Sequence, residues 1–229
     1  MREILLISIL IIGWIFAVEP NMLCTKTYGI EFKELAGKKA VLAGDFHFKS
    51  KHRVERVVKK INEQHADFVF YTGDYTEKVP ADYVIEKLLS VNAPVCFVLG
   101  NHDMPEDYKS LPNLLNNRHI EKDGITIAGV DYYNPDIEKA LSNAKNPVIL
   151  LSHNPDILPK VPKRVRLILS GHTHGGQVTL FGRPFVTPSK YGFGKGIINN
   201  RLVITGGTGT SVVPARLFNP PEITVIEFK

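Results

Sequence analysis

The 229-residue chain has little cysteine, only Cys24 and Cys96. Two thiols cannot build a disulfide scaffold, and their spacing fits no structural zinc knuckle. Cys96 sits in the apolar run Val95-Cys96-Phe97-Val98, where a free thiol acts as a small hydrophobe. A large excess of one charge is also missing: 28 Lys and Arg face 23 Asp and Glu, a net of +5. That balance suits an anionic substrate or a membrane face but supplies no basic stripe to track a nucleic acid. The chain has no internal repeat and no low-complexity tract. With 44% hydrophobic and 22% charged residues, disorder, a collagen-like repeat and a polytopic membrane protein are excluded. One domain with a sizeable core fits the length.

Long apolar runs are confined to one place. Ile4 to Val18 is apolar apart from Ser8 and Gly13. About fifteen residues fall short of a ~30 Å hydrocarbon core at a 1.5 Å rise. The run has no polar face, so a buried amphipathic helix fits poorly. A cleavage site of A-x-A type fits no better, because Ile15 precedes Ala17, and Cys24 does not resemble an acylation site. The length also fits a signal-peptide core, so residues 1–20 read as a signal anchor or signal peptide, the uncleaved anchor first, with Arg2 on the cytoplasmic side and the catalytic body outside. Residues 21–38 read as a linker and first strand (Tyr28 to Phe32), and 39–229 as the functional domain.

From Lys39 onward apolar runs alternate with helical patterns. Strands are expected at Lys39–Ala43, Asp67–Tyr71 and Val95–Leu99. Helices are expected around Val54–Ile61 and Tyr83–Leu89, with a short one at Leu111–Asn116. Later runs are Ile125–Val130, Val148–Leu151, Val165–Leu169, Leu202–Thr205 and Ile223–Phe228. The first half implies right-handed βαβ units and parallel pairing, the second half mixed pairing.

Each of five runs ends in a polar group: Gly44-Asp45-Phe46-His47, Thr72-Gly73-Asp74, Gly100-Asn101-His102-Asp103, Ser152-His153 and Ser170-Gly171-His172-Thr173-His174. In α/β sheets the carboxyl ends of strands border the ligand crevice. Any one of these residues alone reads as a turn former, a helix cap or a structural histidine. Five in succession do not. His52, His65 and His119 lie outside the pattern. Imidazole and carboxylate without thiolate suit Mn²⁺, Fe²⁺ or Zn²⁺ better than Ca²⁺. Seven candidates exceed what one catalytic zinc takes, so two ions are the natural count.

These blocks, in this order, resemble the calcineurin-like metallophosphoesterase superfamily from about Lys39 to the end. Ser170 to Gln177, Gly207 to Ser211 and Pro220 to Ile223 resemble its membrane-associated bacterial phosphodiesterase branch, which includes UDP-diacylglucosamine pyrophosphatases. The resemblance implies an α/β fold, a four-layer αββα sandwich with two mixed sheets and a dinuclear site at the strand ends. It implies Asp45, His47 and His174 on one metal, Asn101, His153 and His172 on the other, and Asp74 as the bridge. Mn²⁺ is the expected ion pair. His102 matches a non-ligand proton donor, and Asp103 is expected to accept the other ring proton of His102. The implied chemistry is in-line attack on phosphorus by a hydroxide held between the two ions.

The expected substrate is a phosphorylated small molecule or lipid, hydrolysed as a diester or pyrophosphate by a membrane-associated monomer without nucleic acid. A phosphomonoesterase on proteins or nucleotides, a nuclease and a silent binding module are the alternatives. Pocket walls are expected from Pro105–Asn117 and Gly182–Gly196, with Phe181, Phe185 and Phe193 either lining a groove or in the core. Arg216 and Lys190, in the Pro/Gly-rich loops, could add phosphate contacts but read first as solvated surface charges.

Overall fold

The computed structural model describes residues 2–145 and 147–229. It begins with helix α1 (Arg2–Gly13), extended by a π-helical turn at Trp14–Val18 and a 3₁₀ turn at Glu19–Asn21. The strands and helices that follow are β1 (Cys24–Ile30), β2 (Lys39–Ala43), α2 (Lys51–Asn62), β3 (Phe68–Tyr71), α3 (Ala81–Leu89), β4 (Val95–Phe97) and α4 (Pro105–Tyr108). The second half contains β5 (Arg118–Lys122), β6 (Ile125–Gly129), α5 (Ile137–Ala140), β7 (Val148–Leu151), β8 (Val165–Ser170), β9 (Thr179–Leu180), β10 (Arg183–Pro184), β11 (Gly196–Ile198), β12 (Leu202–Ile204) and β13 (Glu222–Phe228).

Two mixed sheets carry the fold. The first runs β1-β13-β2-β3-β4, the second β11-β12-β8-β7-β6-β5, and β9–β10 is a separate hairpin. In the first sheet β2, β3 and β4 are mutually parallel, as the alternating strand and helix pattern predicts. In the second, β6, β7, β8 and β12 are parallel, and antiparallel pairs occur at both edges.

Period-2 alternation builds the layers. Ala40, Leu42, Phe68 and Phe70 face inward to Ile149, Leu151, Leu167 and Leu169 of the opposite sheet. Val41, Ala43, Val69 and Tyr71 face outward to Val54, Val57 and Ile61 of α2 and Val84 and Leu88 of α3. Ser50 caps α2, its hydroxyl accepting the Arg53 amide at 3.3 Å. Burial of Val54, Val57 and Ile61 stabilises α2 by about 1.5–3 kcal/mol each. The outer layer on the second sheet is thin: α5 and a 3₁₀ segment, Pro155–Lys160, cover Val148, Leu150 and Ile168.

Two sequence expectations are corrected. Leu111–Asn116 is not helical. The preceding residues form α4, and the Leu115 amide donates to the Phe97 carbonyl at 2.8 Å, so the segment runs beside β4. The apolar N-terminal helix is longer than the apolar run. Continuous helical segments span Arg2–Asn21, 20 residues containing an 18-residue stretch of mean hydropathy 2.0, long and apolar enough to cross a membrane.

Candidate metal centre

All five polar blocks meet on one rim. Asp45 and His47 follow β2, Asp74 follows β3, Asn101 to Asp103 follow β4, His153 follows β7, and His172 and His174 follow β8. Five of these residues hold left-handed backbone: Asp45 (φ 50°), His47 (41°), Asp74 (57°), His172 (72°) and His174 (51°). Such conformations cost free energy and persist where the surroundings impose them. Gly73, at φ 90°, lets the turn before Asp74 pass against Gly100, since a Cβ there would lie 2.7 Å from the Leu99 carbonyl carbon. Gly207 does the same beside Asp45.

Asp74 lies at the centre. Its Oδ1 accepts the His102 amide at 2.9 Å. Its Oδ2 is 3.3 Å from His47 Nε2 and 3.5 Å from His153 Nε2. On one side, His153 Nε2 is also 3.0 Å from Asn101 Oδ1 and 3.1 Å from His172 Nδ1. His153 Nδ1 sits 2.5 Å from the Thr72 carbonyl, which leaves Nε2 as the ring's free lone pair. On the other side, ligand atoms of Asp45, Asp74 and His174 lie within 4.8 Å of one another. Asp45 Oδ2, His47 Nε2 and His174 Nδ1 are buried without a hydrogen-bond partner.

Burial and mutual charge shift the titration of the cluster in both directions. Burial pushes the Asp45 carboxyl up to about 6 against the pull of His153. Burial raises Asp74 as well, yet His153 and His47 outweigh it and hold that carboxyl well below the usual carboxylate range. Burial, then His153, brings His172 down to about 4, and burial with Arg216 holds His174 well below its ordinary value. Burial lowers His153 too, yet Asp74 and Asp45 outweigh it and raise that ring. Two rings held toward the neutral form, the anionic Asp74 and three orphaned buried ligand atoms fit divalent metal ions.

His102 differs from the others. It is solvent-exposed, and its ring stands 4.9 Å from that of His47 between the buried cluster and the cleft. Its ring could join His47 and Asp74 in a ligand group, so exposure alone does not separate donor from ligand. The role expected for Asp103 is corrected. Its buried carboxylate accepts the amides of Asp74 (2.7 Å), Tyr75 (2.8 Å) and Gly100 (2.8 Å), and none of its hydrogen bonds goes to the His102 ring.

Arg216 is also corrected. It is fully buried, not solvated, and its guanidinium donates to the carbonyls of Gly206 (2.9 Å), Gly207 (3.2 Å), Gly209 (2.6 Å) and Asn219 (2.9 Å). Lys190 is exposed, as expected. Asn219 is a further site residue that sequence reasoning missed: its side-chain amide donates to the His174 carbonyl at 2.9 Å.

The cluster opens into a cleft of about 490 Å³, reached by Asn101, His102 and His174 and walled by Val186, Val212 and Val213. Pro105–Asn117 contributes no wall. Phe181 and Phe185 are exposed outside the cleft, and Phe193 packs on the outer core of the second sheet. A larger hollow of about 960 Å³, between Asn117, Asp136 and Arg164, contains none of the candidate ligands.

Two mixed sheets with a histidine–carboxylate cluster at their shared rim define a metal-dependent hydrolase of the double-sheet class. Residues 38–176 match the calcineurin-like phosphoesterase family, and the chain belongs to it. It is a metallophosphoesterase, an enzyme class that hydrolyses phosphoesters with two divalent metals. It is 33% identical to an uncharacterized metallophosphoesterase, YkuE, of Bacillus subtilis, over 95% of this chain and 89% of that one. An uncharacterized metallophosphoesterase of Aquifex aeolicus is 29% identical over 93% and 94%. A zebrafish transmembrane protein with a metallophosphoesterase domain is 28% identical over 86% of this chain, which spans 54% of that relative.

Proposed function

We propose that the protein is a membrane-anchored phosphodiesterase or pyrophosphatase acting on an anionic, lipid-linked phosphate ester. The observation that carries the reading is the position of Asp74, with one oxygen between His47 Nε2 and His153 Nε2. Asp45, His47 and His174 would hold one ion, Asn101, His153 and His172 the other, and Asp74 both. When bound, two divalent cations acidify an attacking water and offset charge on the phosphoryl oxygens. Mn²⁺ suits the nitrogen and oxygen donors.

The exposed His102 would hold the proton delivered to the departing oxygen. Asp103 accepts the Asp74 amide at 2.7 Å and the Arg216 guanidinium reaches the His174 carbonyl at 3.5 Å, so both would tie down ligand backbones. The apolar helix supports membrane attachment, with residues 1–20 as anchor, 21–38 as the connection and 39–229 as a monomeric catalytic unit outside the cytoplasm. Valines on the cleft wall support an amphiphilic substrate, and the modest net charge supports none of the nucleic-acid readings.

The test is an activity screen of the full chain in detergent with Mn²⁺, against phosphomonoesters, diesters and nucleotide–lipid pyrophosphates. Turnover of diesters or lipid pyrophosphates is expected, and a preference for monoesters overturns the assignment. Fractionation should place the full-length chain with membranes; a wholly soluble, uncleaved chain overturns the anchor.

A further inference from the structure

Bulky apolar side chains stand in water beside the cleft. Phe181 is 94% exposed and Val212 100%, and Phe185, Val186, Val213 and Phe218 are exposed as well. Three of them sit on left-handed backbone: Phe181 (φ 51°), Val212 (59°) and Phe218 (54°). That conformation is uncommon for bulky residues and a clear outlier for a β-branched valine. Strain of this kind marks functional segments, yet none of these three tips is buried against the protein.

The tips belong to one surface. The β9–β10 hairpin is tied to the segment 211–219: the Thr179 amide donates to the Leu217 carbonyl at 2.9 Å, its hydroxyl to the Phe218 carbonyl at 3.0 Å, and the Gln177 side chain to the Val213 carbonyl at 3.0 Å. The same segment grips the end of the apolar helix. The Arg216 amide donates to the Ile15 carbonyl at 3.0 Å. The buried Glu19 carboxylate accepts the Asn219 amide at 2.6 Å and the Trp14 indole at 2.8 Å. Trp14, Phe16 and Val18 are exposed on that helix. Exposed apolar residues on the helix end, the segment 211–218 and the hairpin are therefore tied together beside the cleft. The exposed Arg183 stands between Phe181 and Phe185, a cation placed where anionic headgroups would lie.

We propose that the hairpin 179–186 and the segment 211–218 insert into the same leaflet surface that receives the helix. The cleft then opens at the lipid–water boundary, and an amphiphilic phosphate ester reaches the metal centre without its acyl chains crossing water. The inference rests on the helix being a membrane anchor, and the experiment separates the two.

Tryptophan replaces Phe181, Phe185 or Phe218 in a Trp14→Phe background of the full chain, so each variant has one tryptophan, and the wild type reports Trp14, its only native one. Each variant is reconstituted in phosphatidylcholine–phosphatidylglycerol vesicles carrying brominated acyl chains. Leu89→Trp, in the same background, at the exposed carboxyl end of α3 and away from the strand ends that carry the site, is the control. Loss of fluorescence at Trp14 and at the three tip positions, with none at position 89, is the expected result. Quenching of Trp14 alone overturns the docking face and leaves the anchor standing. Quenching of neither overturns both. Equal quenching at position 89 also overturns the face, because contact with lipid would not be confined to it.

Discussion

Asp103 accepts the backbone amide of Asp74 in a 2.7 Å hydrogen bond, so one acid positions the other through the main chain. The same carboxylate holds the Tyr75 and Gly100 amides, joining the ends of β3 and β4. Asp103→Asn replaces one acceptor oxygen with a donor facing amide hydrogens. We expect a loss of about 2–3 kcal/mol of stability, read as a lower urea midpoint. Turnover should fall by the same factor on good and poor leaving groups, because the Asp74 backbone shifts rather than a proton donor. A loss confined to poor leaving groups would instead restore the link to the His102 ring.

Asp74→Asn keeps the shape of the side chain and removes the charge between His47 and His153. Turnover should disappear and the bound metal should drop below two ions per chain while the fold survives. Elemental analysis of the purified variant and its circular dichroism check both halves. An unchanged count of two ions would sink the bridging assignment.

His102→Ala separates proton donor from ligand. If the ring is a donor, both ions remain and turnover falls about 10²–10⁴-fold on alkyl esters. The loss should shrink for a nitrophenyl diester, whose phenolate departs with little help. A missing ion in this variant would place His102 among the ligands beside His47 and Asp74.

Arg216→Met leaves a set of buried carbonyls without donors. We expect about 3–5 kcal/mol of destabilisation, measured by denaturant titration. Arg216→Lys should recover only part of it, because an ammonium cannot reach several divergent carbonyls at once. Full recovery by lysine would mean that charge, not the planar fork, matters there.

The ligand cluster was legible because parallel strands announce their carboxyl ends. Gly44-Asp45, Gly73-Asp74 and Gly100-Asn101 each follow an apolar run that could only be a buried strand. Arg216 was not legible, since an arginine whose donors are taken up by main-chain carbonyls needs no acidic partner that the sequence would show. Asp103 misled for the same reason: its partners are amides, and amides have no letter. The Leu111–Asn116 segment carried helical spacing, yet pairing beside β4 satisfied its backbone better than a short isolated helix would. The left-handed conformations at His47 and His174 left no trace either, because nothing in a histidine's neighbours specifies the sign of φ.

Only Met22 and Leu23 separate the last helical turn from β1, and β1 lies parallel to β13 in a seven-residue register from Cys24↔Glu222 to Ile30↔Phe228. This join has a mechanical meaning. A pull on the helix along the strand axis loads that ladder in shear, with its hydrogen bonds sharing the force together instead of opening one after another. β13 passes the load to β2, whose end carries Asp45 and His47.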